Sequence, residues 1–179
     1  MSVPHSANAP GPCHDVPDRL VNLRDVALDG LGLAAGVLLW SDAPLAGDRH
    51  PDGVAWPPAT VIDLRRPQEK CEVHPLADRA AVLDLPLSVR RRVTDPDAAQ
   101  VWPSGLAETY VGLLSMPLAA GLVAVIEAVA AAATPMLVHC SAGKDRTGVT
   151  VAVVLRLVGL APERIVGDYA LTGPTMPAV

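Results

Sequence analysis

The run His139-Cys-Ser-Ala-Gly-Lys-Asp-Arg-Thr-Gly148 holds the densest set of reactive side chains in the chain. Cys140 is a candidate nucleophile, and Arg146 stands six residues after it. The apolar stretch Met136-Leu-Val-His139 before it predicts a buried strand, and a helix is predicted to start near Asp145. A turn from strand to helix gathers backbone N–H groups into one concavity, here those of Ser141, Ala142, Gly143, Lys144, Asp145 and Arg146. The helix start adds positive potential to that concavity. A tetrahedral dianion fits such a seat. A cysteine under a helix N-terminus is favoured as the thiolate, the form that attacks phosphorus. Arg146 can fold back over the loop and bind two phosphoryl oxygens with its planar fork. Gly143 relieves crowding where the backbone curls around the anion. The Thr147 hydroxyl can donate to the sulfur, and His139 can orient the loop. The chemistry would be displacement at a phosphate ester.

These residues match the C-x5-R signature of the protein tyrosine phosphatase superfamily, and the spelling HCSAGKDRTG most resembles its bacterial family with dual-specificity and phosphoinositide-active members. Asn22-Leu-Arg-Asp25, Trp40-Ser-Asp42, Ile62-Asp-Leu-Arg65 with Glu69, and Asp168-Tyr169 resemble further elements of that family, so the likeness runs from about Asn22 to Leu171. Trp40 stands where family members usually carry arginine. The resemblance implies hydrolysis of phosphate monoesters through a phospho-cysteine at Cys140. It implies substrates that are phosphoproteins, with phosphotyrosine first and phosphoserine or phosphothreonine beside it, or phosphoinositides. No His/Asp/Cys cluster has metal-ligand spacing, and Arg146 with the loop amides already balances the anion, so no metal and no cofactor are expected.

The leaving oxygen needs a proton donor. Trp102-Pro103 is followed by Ser104, so the separate Trp-Pro-Asp element of tyrosine-specific enzymes is not intact. The resemblance makes Asp145, inside the loop, the first candidate acid. Asp63, at the end of a predicted strand, is the second, and each also has a structural reading, as a first-turn helix acid or as a partner of an arginine. Lys144 is a mobile charge suited to a second phosphate on the same ligand, and Arg65 and Arg66 could add to that field. Two competing functions remain open from the residues: a catalytically weak phosphate-binding pseudophosphatase, and a rhodanese-type sulfurtransferase, which also sets a cysteine in an anion-cradling loop. Cys13 and Cys71 carry no partner pattern. His5, His14, His50 and His74 show no metal-ligand spacing and read as loop or surface residues. Arg90-Arg91-Arg92 reads as a solvated face.

The elements that must position the loop follow from apolar runs and their punctuation. Gly36–Trp40 and Thr60–Leu64 predict strands, and Ala80–Leu85 a third buried one stopped by Pro86. Leu118–Ala133 predicts a core helix ended by Thr134-Pro135, and further helices are expected from Asp145 to Gly159 and from Pro162 to about Leu171. Strands alternating with helices predict an α/β domain with a central, mainly parallel sheet flanked by helices, of tyrosine phosphatase type. Residues 1–18, with four prolines, read as a flexible arm, and 19–179 as one phosphatase domain. The family continues with helices beyond its Asp-Tyr element, so C-terminal helices are expected to be missing from that domain.

The 179 residues are half hydrophobic, with three Trp, two Tyr and no Phe, so the core must be built from Ala, Val and Leu, a bias typical of GC-rich bacterial genomes. A net charge of -5 argues against nucleic-acid partners. The longest apolar runs fall short of the roughly 20 residues that span a bilayer, and no transmembrane segment is expected. Three scattered cysteines and the absence of a signal-peptide pattern favour a cytoplasmic location, with secretion by a route needing no signal peptide left open.

Overall fold

The structure, a computed structural model, describes residues 20–26, 33–49, 51–70, 73–87, 106–115 and 119–173. The expected arm, the Arg90–Arg92 run, the Trp102-Pro103-Ser104 segment, Cys13, Cys71, His5, His14 and His50 lie outside them.

Five strands form one sheet: β1 (Arg24–Asp25), β2 (Leu38–Ser41), β3 (Thr60–Asp63), β4 (Ala81–Asp84) and β5 (Met136–His139). Their order is β1-β2-β5-β3-β4, with β1 antiparallel to β2 and every other pairing parallel. The helices are α1 (Leu106–Leu113), α2 (Ala119–Ala131), α3 (Asp145–Leu157) and α4 (Pro162–Ala170), with a 3-10 turn at Pro67–Glu69. The protein is therefore an α/β fold with a mainly parallel sheet flanked by helices.

Side chains alternate across the strands, and the two faces differ. Leu38, Trp40, Ile62, Met136 and Val138 point to one face, where Leu122, Val125 and Val129 of α2 and Val151, Val154 and Leu155 of α3 complete the main core; Leu64 and Cys140, just past β3 and β5, join it. Leu39, Val61 and Leu137 point to the other face and are covered by Leu76 and loop residues. With both faces covered, β2, β3 and β5 are buried at every position, as continuous apolar runs demand. Strand β4 differs from expectation: as the outermost strand it is largely exposed, Leu83 included. An edge strand has a neighbour on one side only.

Ser41, Asp63 and His139 share one register row at the carboxyl ends of the three central strands. In parallel α/β sheets that end is where ligands bind. The loop carrying Cys140 leaves the middle strand of the three.

Candidate active site

Cys140 is nearly buried, a free thiol at the floor of the turn between β5 and α3. Three carbonyls of this turn are held from outside it. Cys140 O lies 3.0 Å from His139 Nδ1, Ser141 O accepts Ala43 N–H at 3.2 Å, and Gly143 O accepts both Asn22 Nδ2–H at 2.6 Å and Trp40 Nε1–H at 2.5 Å. A planar trans peptide sets its N–H opposite its C=O. Pulling these carbonyls outward therefore turns the N–H groups of Ser141, Ala142 and Lys144 the other way, into the turn. Gly143 sits at φ 59°, and a Cβ there would come within 2.4 Å of the Ser41 carbonyl and the Asp42 nitrogen. Only glycine brings the loop this close to the β2 corner.

The outlying motifs converge behind the loop. Arg24 spans them: NH1 donates to Asn22 Oδ1 at 2.7 Å, NH2 to Asp168 Oδ2 at 3.2 Å, and its guanidinium lies 3.6 Å from the Trp40 ring centroid. Trp40, in the place where arginine was expected, supplies its own N–H to the loop and a ring for Arg24 to cover. Asp42 closes the corner by accepting Val21 N–H at 2.8 Å. Burial pushes its carboxyl up to about 7, with Asp48 nearby adding to the rise.

Arg146, on the first turn of α3, is fixed by Glu69: NH1 donates to Oε2 at 2.8 Å and NH2 to Oε1 at 2.7 Å. It also reaches Leu64 O at 3.2 Å and Ser141 Oγ at 3.4 Å. Burial works against both charges. The hydrogen bonds from Arg146 and Arg66 outweigh it at Glu69 and bring that carboxyl down to about 2, while Glu69 raises the Arg146 guanidinium. Lys144, half-buried at the start of α3, has no carboxylate partner among the described residues.

Asp145 stands at the head of α3 and accepts the Tyr110 hydroxyl at 2.6 Å. Tyr110 Oη lies 2.8 Å from Tyr169 Oη. Burial, then Asp145 and Tyr169, raise the Tyr110 phenol above its usual range, so it stays a neutral donor. Tyr169 in turn packs on Gly148, where a Cβ would approach its ring to 2.6 Å. No periodicity pointed to Tyr110, and only the Asp168-Tyr169 motif hinted at its partner.

Asp63 and Arg65 are not brought to this cradle. Asp63 is fully buried with its side chain, like that of His139, on the face opposite the main core. Arg65 binds it through Nε and NH2, and Lys70 Nζ lies 3.2 Å away. Burial would raise the Asp63 carboxyl, but Arg65 and His139 outweigh it and hold it well below the usual carboxylate range. Such a group brings no proton to a leaving oxygen, and Arg65 is engaged with Asp63. Thr147 is fully buried, and its Oγ1 has no hydrogen-bond partner. The expected bond to the Cys140 sulfur is not formed, because the side chain is enclosed where α3 packs on the sheet. His74, read from sequence as a loop or surface residue, is half-buried, and its Nε2 lies 3.1 Å from His139 Nε2. Asp63, His74 and His139 thereby bring ligand-type atoms within 4.8 Å of one another, a grouping that sequence spacing did not reveal.

The sequence profile of the tyrosine phosphatase family matches residues 18–179. The chain belongs to the tyrosine phosphatase family. Family membership accounts for motifs 100 residues and more apart in the sequence gathering behind one loop, as Asn22 and Trp40 do on Gly143. Among curated proteins, the triple specificity protein phosphatase PtpB of Mycobacterium tuberculosis (strain ATCC 25618 / H37Rv) is 53% identical over 47 residues, which are 26% of this chain and 17% of that protein. The match thus spans under a fifth of that relative's length. No helix among the described residues is long and apolar enough to cross a membrane.

Proposed function

We propose that this member of the tyrosine phosphatase family hydrolyses phosphate monoesters through a phospho-cysteine intermediate at Cys140. In the first step the thiolate attacks phosphorus and the P–O bond to the leaving group breaks. Asp145 gives its proton to that oxygen. The loop N–H groups and Arg146 hold the three non-bridging oxygens as charge develops on them. In the second step water attacks phosphorus, Asp145 takes the water's proton, the P–S bond breaks and inorganic phosphate leaves. The cycle returns the thiolate and spends one water.

The observation that carries this reading is the fixed cradle: three carbonyls tied outward beside a nearly buried cysteine, with Arg146 clamped by Glu69. His139 supports the loop through the Cys140 carbonyl, while Thr147 is buried in α3 without a hydrogen-bond partner. Asp63 and Arg65 are assigned a bracing role under the sheet end. The substrates we propose are phosphotyrosine in proteins, phosphoserine or phosphothreonine beside it, and phosphoinositides. The free charge of Lys144 and the triple specificity in the relative's name support that range.

Turnover of para-nitrophenyl phosphate by the purified chain, with and without a chelator, tests the proposal. Wild type is expected to turn over in both. Cys140→Ser should lose at least about a thousandfold while still binding inorganic phosphate, because a serine hydroxyl without a base is a poor nucleophile. Activity that vanishes on chelation and returns with a divalent ion, or a Cys140→Ser variant near wild type, would reject it.

A further inference from the structure

His139 can hold the Cys140 carbonyl only in one tautomer. Nδ1 must carry the hydrogen to donate to Cys140 O, 3.0 Å away, which leaves Nε2 with a lone pair. The group that meets this lone pair is His74 Nε2, at 3.1 Å. His74 is itself set from its other side, because Leu76 N–H points at its Nδ1 at 3.1 Å and needs an acceptor there. His74 must therefore carry its hydrogen on Nε2. The bonds form one directed chain: Leu76 N–H to His74 Nδ1, His74 Nε2–H to His139 Nε2, His139 Nδ1–H to Cys140 O.

We infer that His74 is a positioning residue that locks the His139 tautomer and so fixes the first peptide of the phosphate cradle. In the other tautomer, the Nδ1 lone pair of His139 would face the lone pairs of Cys140 O. That repulsion would release the carbonyl, and with it the direction of the Ser141 N–H. Burial brings the His139 imidazole down to about 4 and lowers that of His74, so both rings are neutral near pH 7, as the chain requires. The charges around the pair come from Asp63, Arg65, Lys70 and Asp84. Of these, Asp63 Oδ1 approaches His139 Nε2 only to 3.9 Å, too far for a hydrogen bond that would replace His74.

The same atoms do not read as a metal site. Asp63 is already bound by Arg65 and Lys70. A metal on His74 Nε2 would also move its hydrogen to Nδ1, against Leu76 N–H. His74 lines a cavity of about 260 Å3 together with Asp63, Arg65, Lys70, Val73 and Asp84.

The role assigned to the cradle rests on the reading of Cys140 as nucleophile, but the tautomer lock can be measured apart from it. Long-range 15N–1H correlation spectra of 15N-histidine protein should show hydrogen on Nε2 of His74 and on Nδ1 of His139. Any other pair of tautomers in wild type overturns the inference. His74→Gln places an amide N–H near the ring Nε2, whereas His74→Asn keeps an acceptor for Leu76 N–H and falls short of His139. His74→Gln should keep the His139 tautomer and stay within about twofold of wild-type kcat. His74→Asn should bring in the Nε2–H form of His139 and slow para-nitrophenyl phosphate turnover about tenfold, with KM within threefold. Alkylation of Cys140 by iodoacetamide, resolved by peptide mass, should change in His74→Asn alone. Equal behaviour of the two variants overturns the inference. If wild type turns over no aryl phosphate, the proposed function fails while the tautomers still decide the role of His74.

Discussion

The Tyr110 hydroxyl donates to one carboxylate oxygen of Asp145 at 2.6 Å, and Asp145 is the proton donor of the proposed mechanism. Two substitutions separate the acid from its holder. Asp145→Asn should slow esters with poor leaving groups by roughly 100- to 1000-fold and activated aryl phosphates far less, since only the former need the proton. Tyr110→Phe should show the same ranking with a loss of roughly tenfold, because the acid stays but wanders. Steady-state kinetics across leaving groups of graded basicity checks both. Equal losses across the series would make Asp145 a helix-capping residue and Tyr110 its packing partner. The loop that gathers Cys140, Asp145 and Arg146 was legible in the sequence because they are covalent near-neighbours whose spacing is itself the geometry, while the choice between Asp145 and Asp63 as proton donor was left open there. Of the distant groups Tyr110, His74 and Glu69 that hold the site, only Glu69 was signalled, through the family likeness. Tyr110, His74 and Glu69 reach Asp145, His139 and Arg146 across 35, 65 and 77 residues, and only the folded sheet end brings them together.

At the scale of elements, the runs predicted as β2, β3, β5, α2, α3 and α4 form where their apolar residues and Pro or Gly boundaries put them, within a few residues. Strand β1 escaped because two residues carry no period, and its pairing with β2 is a tertiary event. Burial of β4 was misjudged because an apolar run does not say whether its strand lies at the centre or the edge. The β2 corner yields a stability prediction. Asp42 is raised in the folded chain from 3.8 to about 7, so the fold binds its proton more tightly than the unfolded chain does. Its contribution is present in full below about pH 4 and is lost as pH rises through 7. Glu69 runs the other way: lowered from 4.5 to about 2, it stabilises in full above about pH 4.5 and loses that contribution as pH falls through 2. Asp42→Asn keeps the acceptor for Val21 N–H and removes the titration. It should stabilise the protein by roughly 1–2 kcal/mol at pH 8, allowing for partial solvent screening, and by little at pH 4. Urea denaturation at the two pH values checks this. Equal effects at both would place the cost of Asp42 elsewhere.

The whole molecule carries a net charge of -5, whereas the loop of the proposed cradle carries both Lys144 and Arg146, the latter paired with Glu69. A multiply phosphorylated ligand must find local positive charge against an unfavourable overall field. Lys144→Ala should therefore depress kcat/KM on a phosphoinositide about 10- to 100-fold and on a phosphotyrosine peptide only a few-fold. Matching losses on both substrates would leave Lys144 no part in substrate choice. The proposal beneath the predictions on turnover is the covalent intermediate. Rapid acid quench during turnover, followed by peptide mass spectrometry under conditions that preserve thiophosphate esters, reads it directly. One phosphoryl group on Cys140 is expected during turnover and none in Cys140→Ser. Turnover with the phosphoryl group on another side chain, or with Cys140 unmodified at every quench time while single-turnover kinetics place P–O cleavage before product release, would contradict it.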